Sequence, residues 1–91
     1  MENKQEKIQE LMRLIASMET AEDCRLLFND LCTAKELEKM AERVYAAKLL
    51  MAGKTYAQVT AEADISSATL SRVSRCVQYG EGYSKFLSPA E

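Results

Sequence analysis

At 91 residues, 47% of them apolar and with a formal charge of −2, the chain has room for one small domain and carries more apolar surface than a lone globule of that size buries. A second copy of the same chain is therefore the expected cover. Three Gly, one Pro at position 89 and no His leave little to break helices and argue against a zinc site.

No run approaches the roughly 18 apolar residues of a membrane span, and the polar opening MENKQEKIQE does not read as a signal peptide. Cys24, Cys32 and Cys76 are odd in number and lack C-x-x-C spacing, which predicts reduced thiols in a cytoplasmic protein. There is no Gly-rich phosphate loop and no carboxylate pair with an evident pocket. Neither catalysis, cofactor nor metal is expected.

The first helix is predicted over about Lys4 to Ser17, where Ile8, Leu11, Ile15 and Met18 recur at 3-4-3 spacing. Such a narrow seam suits pairing with another helix. Thr20, with Asp23 three residues on, caps a second helix whose apolar side is Leu26, Leu27, Phe28 and Leu31. Thr33-x-x-Glu36 is a capping box for a long third helix, about Ala34 to Met51. Its inner stripe is expected at Leu37, Met40, Ala41, Val44, Ala47 and Met51, and Gly53 closes it.

Thr55-x-x-Gln58 opens a short fourth helix with Val59 and Ala63 inward. The turn Asp64-Ile65-Ser66 follows, with Asp64 where such turns usually place Gly, and Asp accepts left-handed backbone better than most residues. Ile65 is expected to plug the space between the helices. Ser66 or Ser67 caps a fifth helix that turns Leu70, Val73 and Val77 inward and Thr69, Arg72 and Arg75 outward. Gly80 and Gly82 end it, and Tyr83, Phe86 and Leu87 predict a last short helix laid on the body.

The expected architecture is all-α, about six short helices in a single domain over 1–91. Residues 1–32 are read as dimerisation helices, 33–53 as the long central helix, 55–79 as a helix-turn-helix, and 80–91 as a short helix and tail.

Charge is unevenly spread. Residues 1–42 hold six bases and ten acids, whereas 43–79 hold five bases (Arg43, Lys48, Lys54, Arg72, Arg75) and two acids (Glu62, Asp64). Surface charge acts over about 10 Å or less, so the local basic excess governs contact with a phosphate. Arg72 has Ala68, Thr69, Arg75 and Cys76 at its helical neighbour positions; Arg75 has Ser71, Arg72, Gln78 and Tyr79. Neither finds a local acid, and like charges three apart repel unless something external satisfies them.

Double-stranded DNA is the natural external partner. Thr55, Tyr56, Ser66, Ser67, Ala68, Thr69, Ser71, Arg72 and Arg75 form the expected contact set. Thr55 reads first as a helix cap and only second as a phosphate contact, Tyr56 equally as a phosphate donor or a packed aromatic, and the arginines as guanine readers or phosphate clamps. Arg43 also lacks a local partner, being flanked on its helix by Lys39, Met40, Ala46 and Ala47. It is read as a salt bridge to another helix or as a contact to a small effector. The acidic first half favours an alternative function, a helical protein–protein interaction module without DNA binding.

The stretch DLCTAKELEKMAERVYAAKLLMAGKTY, followed by SSATLSRVSRCVQYG, resembles the Trp repressor superfamily, most closely its Trp-repressor-like YerC/YecD group. LCT before the long helix, ERV inside it, GKTY at its end and ATLSRVSRC in the reading helix carry the likeness over about two-thirds of the chain. The resemblance implies an intertwined homodimer that presents two reading helices to successive major grooves. It also implies a small-molecule effector site, with Arg43 and Arg72 at the positions of the two family arginines and with Cys32 and Thr33 near the carbonyls that meet the ligand amine. Val73 stands where the family has glycine, and Cys76 where it has serine. A valine occupies ligand space and a thiol is a poor hydroxyl substitute, so the expectation is a ligand other than tryptophan, or none.

Overall fold

The computed structural model describes residues 3–91, and all the regular structure among them is helical. The chain forms two compact units, up to Ala34 and from Lys35 to Glu91. Among the described residues no helix is long and apolar enough to cross a membrane.

The first unit carries α1 (Lys4–Ala16) and α2 (Ala21–Leu31). Asn3, which the sequence reading did not single out, caps α1 by accepting from the Glu6 amide at 2.9 Å, and Thr20 caps α2 as predicted by accepting from the Asp23 amide at 3.0 Å. Arg25 donates from Nε to Glu22 at 2.9 Å. That bond holds the Glu22 carboxyl below its ordinary pKa and the Arg25 guanidinium above its own. Both side chains are solvated, so the pair adds little stability. Neither helix contains a buried residue. Ile8, Met12, Leu14, Leu26 and Leu31 stand 45–55% exposed. The amphipathic faces are therefore formed but not covered.

The second unit is built on α3 (Ala34–Met51), followed by α4 (Tyr56–Glu62), α5 (Ser67–Tyr79) and α6 (Gly82–Phe86). α3 stops in a Schellman turn: Lys54 donates to Leu49, Gly53 donates to Leu50, and Gly53 adopts φ +89. Thr55 and Gln58 form the reciprocal capping box of α4, at 3.2 and 2.8 Å.

The core consists of Ala46, Ala47, Leu49, Val59, Ala63, Leu70 and Val73, with Leu50, Ile65, Val77, Tyr83, Leu87 and Ala90 packed against it. Val59, Ala63, Ile65, Leu70, Val73 and Val77 thus take their expected places. The C-terminal tail is tied down as well, since the Ala90 amide donates to the Lys48 carbonyl at 3.1 Å.

Three expectations need correction. Of the stripe proposed for α3 only Ala47 enters the core, while Ala41 is exposed and Val44 is 39% exposed. The last turns of α3 are apolar around most of their circumference, so periodicity does not choose a face. The buried face is the one that carries Ala46, Ala47 and Leu49, which share the core with Val59 of α4, with its C-cap Ala63, and with Leu70 and Val73 of α5. Asp64 does not adopt left-handed backbone, because no described residue except Gly53 has positive φ. Instead Ile65 donates to the Ala63 carbonyl across Asp64, a three-residue turn open to negative φ. Gly82, expected to help end α5, begins α6. Gly80 alone is the C-cap of α5.

Candidate nucleic-acid interface

The helix-turn-helix comprises α4, the turn from Ala63 to Ser66, and α5. Leu70 and Val73, 0% and 1% exposed, anchor the inner side of α5 in the core. Helical geometry then turns Ser67, Ala68, Ser71, Arg72 and Arg75 outward, and all five are exposed. Ser66 is the N-cap: it accepts from the Thr69 amide at 3.2 Å and donates its hydroxyl to Thr69 Oγ1 at 3.0 Å. The two hydroxyls are therefore engaged with each other at the start of α5. Thr55 is likewise engaged as the cap of α4, while Tyr56 beside it is 47% exposed.

Among the described residues no carboxylate lies within ion-pairing distance of Arg43, Arg72 or Arg75. Two exposed guanidinium groups one turn apart, both unpaired within the chain, can fork onto a phosphate or onto the O6 and N7 of guanine.

Behind this face lies a cavity of about 600 Å³ lined by Arg43, Arg72, Val73, Cys76, Gly80, Gly82, Tyr83 and Phe86. Arg43 from α3 and Arg72 from α5 share it, and no acidic side chain lines it. Val73 reaches it while remaining part of the core. Cys32 and Thr33, also expected at an effector site, belong to the other unit. Sequence reasoning missed Tyr83 and Phe86 as lining residues, although two aromatics just beyond a Gly80/Gly82 break were a usable signal. Gly80 is close-packed: a Cβ there would stand 2.7 Å from the Cys76 carbonyl oxygen. Tyr79 ends α5 at 82% exposure on the side that Arg75 begins, and it too was overlooked.

The helix order and the two-arginine cavity invite comparison with known proteins. The family model of the Trp repressor protein matches residues 6–90. The YerC protein of Bacillus subtilis (strain 168), itself uncharacterised, is 39% identical over 74 residues, spanning 81% of this chain and 71% of YerC. A crystal structure of a candidate Trp repressor from Staphylococcus aureus superimposes with a TM-score of 0.80 at 38% identity, over 86% of this chain and 79% of that one. That of a TrpR-like protein from Eubacterium eligens ATCC 27750 gives a TM-score of 0.83 at 31% identity, over 90% and 86% of the two chains. With the family match running nearly end to end, this chain belongs to the Trp repressor family.

Proposed function

We propose that this protein is a sequence-specific DNA-binding transcriptional regulator, a repressor in action, that works as a homodimer and reads the major groove with α5. The observation that carries the reading is the pair Arg72 and Arg75, exposed on the outer face of a helix-turn-helix with no carboxylate partner among the described residues. DNA supplies the missing anions. Membership of a family of DNA-binding regulators, rather than of enzymes, supports the same reading.

The uncovered apolar faces of α1 and α2 support the dimer, since a second copy would bury them. In helix-turn-helix dimers, Trp repressor among them, the reading helices sit about 34 Å apart to meet successive turns of the groove. That spacing is carried over from the family.

The cavity shared by Arg43, Arg72 and Cys76 is read as the seat of a small effector other than tryptophan, or of none. Val73 in place of the family glycine narrows the room for an indole, and Cys76 offers no hydroxyl.

Selection from random duplexes at low salt, with and without a panel of amino acids, tests site and ligand together. A palindromic sequence should be enriched. Sedimentation of the protein–duplex complex should give two chains per site. Absence of any enriched sequence at low salt would remove the DNA reading, and enrichment unaltered by every ligand in the panel would count against the effector.

A further inference from the structure

We propose that Glu42 is a positioning residue for the reading helix: its carboxylate, presented from α3, holds the backbone of the helix-turn-helix turn and so sets the angle at which α5 meets DNA. The inference rests on the DNA-binding reading above but concerns a residue outside the contact face.

The Asp64 amide donates to Glu42 Oε2 at 2.9 Å across 22 positions of sequence. Leaving Thr33 and Glu36 aside, no other side-chain hydrogen bond among the described residues spans more than four positions.

The accounts of the turn explain why it is there. The Ala63 amide is the last that α4 satisfies, through the Val59 carbonyl, and the Ile65 amide is taken by Ala63. The Thr69 amide is taken by Ser66. Asp64, an exposed residue, is left between these with a donor that no helix end reaches. Glu42 provides it with a charged oxygen, the stronger kind of bond.

Lys39 and Arg43 line the same recess, of about 300 Å³, as Glu42, Asp64, Ile65, Ser66 and Thr69.

Asp64 stands two residues before Ser66, the N-cap of α5. The bond therefore fixes the pivot of the reading helix. α5 has 13 residues and is about 20 Å long. A tilt of about 10° at the pivot moves its far end by about 3 Å, well beyond the roughly 0.5 Å range over which hydrogen bonds form. Ile65 and Leu70 press the turn onto α3 without direction, and the Glu42 bond supplies the direction.

The test compares the full chain with Glu42→Ala and Glu42→Gln, using the duplex that the unaltered protein selects and, separately, amide exchange at Asp64 in the free protein. In Glu42→Ala, exchange at Asp64 should quicken and affinity should fall, each by about tenfold. The slope of affinity against salt should stay unchanged, because no phosphate contact is lost. Glu42→Gln keeps an acceptor oxygen and should restore both readouts to within about threefold. If Glu42→Ala does not fold, Glu42→Gln decides alone: retained affinity and slow exchange support the role, and loss of either overturns it. A folded Glu42→Ala that binds like the parent overturns it, as does a Glu42→Gln that falls as far as Glu42→Ala. Should the parent select no duplex, the DNA reading has failed by itself, and exchange at Asp64 still decides whether Glu42 holds the turn.

Discussion

Replacing Arg72 with alanine separates the two things an unpaired guanidinium can do. Arg72 is exposed and has no intramolecular carboxylate partner among the described residues, so its removal should change unfolding free energy by no more than about 0.5 kcal/mol. Its effect belongs to binding. Each phosphate clamped by a base adds about 0.9 to the slope of log K against log salt. A dimer loses two such contacts, and the slope should become shallower by about 1.8 if Arg72 holds phosphate.

If Arg72 forks onto guanine instead, the slope stays and affinity falls by about 1–3 kcal/mol in each half-site, roughly 30-fold or more for the pair. Specificity relaxes at that base only. Fluorescence anisotropy over a salt series, on the selected duplex and on a scrambled one, distinguishes the two cases. A variant that binds the duplex as the parent does, while melting several degrees lower, would mean the guanidinium serves the protein's own structure.

Leu70, wholly buried between α3 and the helix-turn-helix, should cost about 2.7–5 kcal/mol when cut to alanine; a urea titration that finds less than about 1 kcal/mol would contradict the core described. Gly80→Ala forces a Cβ to 2.7 Å from the Cys76 carbonyl oxygen, whereas Gly82→Ala meets nothing within 4 Å. The first should destabilise by about 1–3 kcal/mol and the second should be close to neutral by thermal melting, so equal effects would refute the packing. Thr55→Ala removes half of the α4 capping box and should cost about 1 kcal/mol, with Thr55→Ser recovering most of it; no loss in the alanine variant would show the box to be idle.

The local features of this fold were legible in residue order because they are set by short-range chemistry. Thr20 and Thr55 cap the helices that follow them, Gly53 closes α3 with positive φ, and the 3.6-residue period placed Val59, Leu70 and Val73 inside. The arginines of α5 were legible for the same reason: the absence of an acid at neighbouring helical positions is a property of the string itself.

What depended on tertiary structure was every choice the string left degenerate. α3 is apolar on more than one side, and only the approach of α4 and α5 selects Ala46, Ala47, Leu49 and Leu50 as its core face. The turn at Asp64 could be closed by left-handed backbone or by a three-residue bond; it takes the latter, and the Asp64 amide meets an oxygen 22 residues earlier in sequence. The union of Arg43, Arg72, Tyr83 and Phe86 around one cavity has the same origin. Propensity and period act over a few residues, while contacts between distant segments follow from which surfaces exclude water together.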